Sequence, residues 1–143
     1  MGQKVDPRGI RIGITRTWDS KWFAEGKEYL NNFHEDLKIR ESIKKNYYHA
    51  GISNIQIERT SPTELTVIIE TGKAGILIGR KGQEIEALKS SLEKLTGKKV
   101  QVKVQEVKNA NTDAQLVAES IATAIEKRVA YKRAVSQAIQ RAE

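Results

Sequence analysis

Gly79, Arg80, Lys81 and Gly82 form the stretch of this 143-residue chain whose residue types and spacing most directly imply chemistry. Two adjacent cations stand between glycines, immediately after Ile76, Leu77 and Ile78. The aliphatic triplet reads as core, and a cation buried without a partner is unstable by several kcal/mol. The chain must therefore turn out of the interior at Gly79 and present Arg80 and Lys81 to solvent. Glycine at both ends admits positive φ and lets a ligand approach with no Cβ in the way. A helix beginning at the second glycine adds N–H groups that have no internal partner. Such a helix start beside two cations suits a phosphate. Spacing excludes the nucleotide-binding loops, because neither Gly-x-x-x-x-Gly-Lys-Ser/Thr nor Gly-x-Gly-x-x-Gly after a strand occurs.

Other chemistry is poorly supplied. Lys and Arg number 25 against 18 acids, a net charge of +7, which points to nucleic acid or an anionic surface as partner. There is no cysteine, hence no disulfide frame, thiol nucleophile or cysteine metal site. His34 and His49 stand apart with no ligand-like neighbours, and the acid pairs Glu35-Asp36 and Glu84/Glu86 read as solvated helix charges. No Gly-x-Ser-x-Gly or paired histidine is present, so no enzyme, metal or small-molecule cofactor is expected. No apolar run approaches the ~20 residues of a membrane span, and no secretory core follows Met1. The start misses the myristoylation pattern because position 6 is Asp. The expectation is an intracellular protein without a membrane role.

The elements that must position the loop follow from periodicity. Residues 1–27 differ from the rest, carrying Lys4, Arg8, Arg11, Arg16, Lys21 and Lys27 against three acids. Ile10, Ile12 and Ile14 alternate as a short edge strand would, and Trp18, Trp22 and Phe23 form an isolated aromatic cluster. Two readings stand: a leader packing its aromatics on the main domain, or an arm that orders on a polyanion. The charge ratio favours the arm, which should then contribute little to the stability of the core. From about Glu28 to Ala50, Ile39, Ile43 and Tyr47 make a helical stripe, and Gly51 stops it. Strands follow through Ile55 and Ile57 and through Leu65, Val67 and Ile69, with a turn at 61–63. A single apolar turn at 75–79 precedes the loop. Ile85, Leu88, Leu92 and Leu95 then mark a second helix, stopped by Gly97. A third strand alternates through Val100, Val102 and Val104, its other side polar. Residues 112–142 are helical again, with Asp113 as a cap and stripes of Val117, Ile121, Ile125 and Val129, then Val135, Ala138 and Ala142. With no Gly or Pro between the stripes, one helix and two helices both fit.

A Gly-x-x-Gly turn between two helices is the clamp by which KH domains hold about four nucleotides of backbone. The order helix, strand, strand, helix, helix, strand resembles the type II KH fold, an α+β fold whose three-stranded mixed sheet carries its helices on one face. The resemblance goes further. "MGQKVDPRGIRIGI", "SKWFA", the loop itself, "LTGKKVQVKVQEV" and "DAQLVAESIATAIEKRVAYKRAVSQA" are, in that order, similar to the bacterial ribosomal protein S-three family of the small subunit. It covers essentially the whole chain.

That resemblance implies a basic RNA-binding arm at 1–27, a type II KH domain at 28–110 and a helical extension at 111–143. The extension leads, in the family, to a second α/β domain missing from this sequence. It implies a structural ribonucleoprotein component of the subunit head, bound to small-subunit rRNA in the cytoplasm or in an organellar ribosome. Ribosomal proteins S-ten and S-fourteen are its expected neighbours, and it contributes to the mRNA entry tunnel. RNA-contacting residues are then expected at Gly79, Arg80, Lys81 and Gly82, at Lys4, Arg8, Arg11 and Arg16, and at Lys132 and Arg133 beside the mRNA. Ser136 stands where the family carries a third cation, Asp6 where it has His or Asn, and Ala74 where Pro is common. The alternative is a free-standing KH-type module for single-stranded RNA, or an assembly factor, which would need only residues 28–107. Without the second domain, the stripe on the closing helix is expected to lack a partner and to fray from about Lys132.

Overall fold

The computed structural model describes residues 2–143, with Lys81 described through its backbone alone. In chain order the elements are β1 (Ser20–Lys21), α1 (Gly26–Tyr47), β2 (Ile52–Ser61), β3 (Glu64–Thr71), α2 (Ala74–Ile78), α3 (Gln83–Thr96), β4 (Lys99–Glu106), α4 (Ala114–Glu126) and α5 (Tyr131–Ala142). The strands lie in the order β1-β2-β3-β4. A two-residue turn at Pro62 and Thr63 folds β2 against β3, setting Ile57 opposite Val67. The excursion through α2 and α3 returns β4 parallel to β3, with Val102 opposite Val67.

Period-two alternation puts Ile55, Ile57, Leu65, Val67, Ile69 and Val100 on one side of this sheet. There they meet Ile39 and Ile43 of α1, Leu77 of α2, and Leu88 and Leu92 of α3 in one buried cluster. Each such side chain, fully buried, stabilises by about 1.5–3 kcal/mol. Gln101, Lys103 and Gln105 stay exposed on the other side. Gly97, at φ 68°, ends α3 by donating its N–H to Glu93 O, a conformation glycine reaches without strain. Leu95, the last residue of the predicted stripe, is exposed there.

The expected three-stranded sheet gains a fourth strand, and the arm supplies it from an unexpected place. No edge strand forms at Ile10–Ile14. A 3-10 turn occupies Gly9–Arg11, and Gly13 at φ +84° donates to Arg16 O, curling the chain locally. Ile10 and Ile14 remain exposed. Ser20 and Lys21 instead run parallel to β2, and Asp19 O accepts the Ile57 N–H at 2.9 Å.

Behind that strand lies a polar network that corrects the reading of Glu35 and Asp36 as solvated charges. Asp36 is 3% exposed. Its Oδ2 accepts from Ser20 Oγ at 2.9 Å and Trp22 Nε1 at 2.8 Å, and its Oδ1 pairs with Arg59 Nη2. Arg59 also reaches Glu35, which in turn binds Lys98 Nζ at 2.8 Å, and its guanidinium lies over the Trp22 ring. Arg40 donates to Ile55 O, Asp19 O and Ser20 Oγ. Buried charges persist where such partners are supplied. Trp22 is therefore an anchor on the domain, whereas Trp18 and Phe23 are exposed, so the two readings of the arm divide between its aromatics.

The closing region is two helices. Arg128 adopts φ +63°, its N–H bonds Ile125 O at 2.8 Å, and the Val129 N–H bonds Ala124 O at 3.0 Å. These are the paired bonds of a Schellman ending, with arginine in the left-handed position usually held by glycine. Asp113 caps α4, accepting the Leu116 N–H at 2.9 Å. α5 folds back beside α4 and buries Ala134 and Ala138. Of the closing stripe only Ala138 is buried, while Val135, Ile139 and Ala142 are exposed.

Candidate nucleic-acid interface

α2 is one turn long, so only one of its three large residues can face inward. That residue is Leu77, fully buried; Ile76 and Ile78 are 37% and 42% exposed, which corrects their reading as core. They form an apolar ledge directly before the loop. Gly79 closes the turn, donating its N–H to Gly75 O at 3.0 Å. Its φ of 68° with ψ −175° is open in practice only to glycine. A Cβ at Gly79 would also meet Glu84 Cγ at 2.5 Å and Glu84 Cβ at 2.9 Å.

Residues Arg80–Gly82 form a 3-10 turn that runs straight into α3, with Gly82 left-handed at φ 80°. Around Gly82 the space is open, Ile85 Cγ2 lying 3.9 Å from where a Cβ would stand. No side chain caps the start of α3. Arg80 is exposed, and Lys81 is held in the same turn, its side chain lying outside the described residues. Tyr47, at the end of α1, faces this helix start. Burial raises its phenol above the ordinary value of 10.0, and the Glu84 carboxylate raises it further. The loop is thus a projecting turn with an exposed cation, an uncapped helix start and a bare apolar ledge.

The remaining predicted residues lie elsewhere on the surface. Arg8, Arg11 and Arg16 line a single cleft between the arm and α4. Lys4 is exposed and lines no part of it. Lys132 and Arg133 are exposed on the first turn of α5. Reasoning from residues alone missed the apolar ledge of Ile76 and Ile78, although the shortness of the segment between Gly75 and Gly79 was its signal. It also missed the Asp36–Arg59 network, which has no local signature. Among the described residues no helix is long and apolar enough to cross a membrane, and no group of three His, Cys, Asp or Glu residues is placed to hold a metal.

A mixed sheet with helices on one face and a Gly-x-x-Gly turn between two of them defines an RNA-binding class of domain. The KH domain family model matches residues 38–112, and the chain belongs to that family, in the type II arrangement. Beyond the domain, 99% of the chain is similar to the small ribosomal subunit protein uS3 of bacteria. Identity is 68% over 141 residues with that of Fusobacterium nucleatum subsp. nucleatum, 58% over 142 with that of Dictyoglomus turgidum, and 55% over 142 with that of Carboxydothermus hydrogenoformans. The chain spans 64%, 58% and 64% of those proteins' lengths.

Proposed function

We propose that this chain is a non-enzymatic RNA-binding component of the bacterial small ribosomal subunit, gripping RNA backbone at Gly79–Gly82. One observation carries the reading. Gly79 and Gly82 hold conformations that push an exposed cation and an uncapped helix start outward together, which serves no packing purpose and suits phosphodiesters. The similarity to the relatives' ribosomal proteins supplies the particle. Small-subunit rRNA in the cytoplasm is the proposed partner, with Lys4, Arg8, Arg11 and Arg16 as further contacts. The exposed Lys132 and Arg133 support a place on the mRNA entry side, where Ser136 lowers the local positive charge. Ribosomal proteins S-ten and S-fourteen are the proposed protein neighbours. The division into an arm at 1–27, the KH domain at 28–110 and an extension at 111–143 belongs to the same proposal.

Replacing Arg80 and Lys81 with Ala should remove about two phosphate contacts, lowering the salt slope on single-stranded RNA by roughly 1.4 log units per decade. A filter-binding titration reads this, and an unchanged slope means the turn does not meet phosphate. Co-sedimentation with small subunits through a high-salt wash tests the particle. Release of the chain there, with RNA binding intact, favours the free-standing KH module.

A further inference from the structure

Glu84 and Glu86 both stand in the first turn of α3. A carboxylate there ordinarily does no more than complement the positive end of the helix. Alike in charge, the two differ in position, because two residues turn a helix by about 200°. Glu84 faces the glycine turn and Glu86 points away from it. A methyl group built on Gly79 would stand 2.5 Å from Glu84 Cγ, 2.9 Å from its Cβ and 3.2 Å from its N. The stem of Glu84 therefore lies across the bare α-carbon of Gly79, and glycine there leaves it room. On the other flank is Tyr47, whose phenol is raised by burial first and by the Glu84 carboxylate second. Glu84 is thus the acid on the loop side of the helix start.

The local charge is balanced. Arg80 and Lys81 bring two positive charges, and Glu84 and Glu86 bring two negative ones. Among the described residues the ion pair on α3 is Lys89–Glu93, farther along the helix, and Glu84 is exposed. A surface that only attracted phosphate would gain nothing from an acid on its binding side. Such an acid sorts anions by charge. A phosphodiester carries one negative charge, whereas a terminal phosphate carries nearly two at neutral pH. Repulsion by a fixed carboxylate is up to twice as large for the terminal group.

We propose that Glu84 is a specificity-determining residue of the turn: it lets Arg80 and the helix start take an internal phosphodiester, and it turns away the dianionic phosphate of free nucleotides and phosphorylated ends. The inference rests on the reading of Gly79–Gly82 as a backbone clamp and adds which phosphate that clamp accepts. The same repulsion moderates its grip on any strand.

Glu84→Gln keeps the shape of the side chain and removes its charge, and Glu86→Gln makes the same change on the other side of the helix. Both full-length variants should melt alike, since each loses one first-turn acid. Binding is measured with a single-stranded oligouridylate, then by displacing it with the dinucleotide uridylyl-uridine, whose phosphate is a diester, or with uridine monophosphate. At 0.1 M salt, one unit charge about 5 Å away changes affinity roughly two- to fourfold for a monoanion and roughly four- to sixteenfold for a dianion. Glu84→Gln should tighten the dinucleotide and the monophosphate by those respective factors. Glu86→Gln, farther from the turn, should change either by less than about twofold. A merely structural role predicts that Glu84→Gln loses binding. That loss, wild-type binding, or a gain no larger than that of Glu86→Gln overturns the role, and an equal gain for both competitors overturns the selectivity. Arg80→Ala with Lys81→Ala separates the two readings. If this double variant binds oligouridylate as wild type does, the clamp fails and the filter with it. If it binds weakly while Glu84→Gln is unchanged, the filter alone is removed.

Discussion

Two truncations separate the parts of the arm. Removing residues 1–17 takes away exposed side chains and local turns, and leaves Asp19, Ser20 and Trp22 in place. Its effect should stay within about 0.5 kcal/mol, as for surface changes in general. Removing residues 1–25 is different. Asp36, 3% exposed, then loses both donors to Oδ2, Arg40 loses two of its three acceptors, and Ile57 N–H loses Asp19 O. Hydrogen bonds to a charged group contribute about 1.5–3 kcal/mol each. The two on Asp36 therefore contribute up to about 3–6 kcal/mol. Water entering the vacated site will replace part of this, and halving it leaves about 1.5–3 kcal/mol. For a domain of this size that corresponds to roughly 10 °C in melting temperature.

Thermal melts of both truncations by circular dichroism make the measurement. Trp22→Phe and Ser20→Ala, each deleting one donor, should fall between the two. If the longer truncation melts within about 2 °C of the shorter one, which is under the shift of a single kcal/mol, the network does not stabilise the domain. The expectation that the whole arm is dispensable to the core would then be right after all.

The loop glycines should fail differently. Gly79→Ala adds a Cβ into Glu84 in a conformation reserved for glycine, so it should destabilise by about 1–3 kcal/mol and weaken RNA binding by distorting the turn. Gly82→Asp meets open space and carries only the left-handed penalty of roughly 1–2 kcal/mol, so it should fold yet lose RNA, and wild-type binding by it would refute the clamp. Tyr47 predicts an alkaline effect: its native pKa is raised, so its contribution is intact below about pH 10 and is lost as pH climbs through the native value, because the unfolded chain ionises first. Urea midpoints between pH 9 and 11 should therefore fall less steeply in Tyr47→Phe than in wild type, and parallel curves would refute the assignment.

Regular elements were legible because their signals are local. Leu88 and Leu92 repeat with the helix, Leu65, Val67 and Ile69 alternate with the strand, and Gly97 and Asp113 end or begin helices by their own backbone and side-chain chemistry. The break between α4 and α5 was not, because Arg128 holds the left-handed position that glycine would have announced. There the fold overrides the residue's preference, helped by Ala134 and Ala138, whose small side chains let α5 lie close beside α4. The Asp36 network was illegible for another reason. Asp36, Arg59, Lys98 and Ser20 are brought together from four separate segments, and in sequence each is only a charge or a hydroxyl.

Ile76 and Ile78 show where local reasoning placed the turn and misplaced its surroundings. A run of three aliphatics before a charged turn reads as core, and a longer helix would have buried more of it. One turn of helix has too little perimeter, so Leu77 takes the interior and its neighbours flank it. Contacts to phosphate position a nucleic acid without reading it, whereas bases must be met by apolar or hydrogen-bonding surface. Under the proposed clamp, Arg80 beyond Gly79 would meet the backbone, and the isoleucines before it would meet bases of the same strand. Aliphatic contact favours no base strongly, so a clamp of this composition should bind unpaired RNA with little sequence preference, its specificity coming from the arm and from the particle around it.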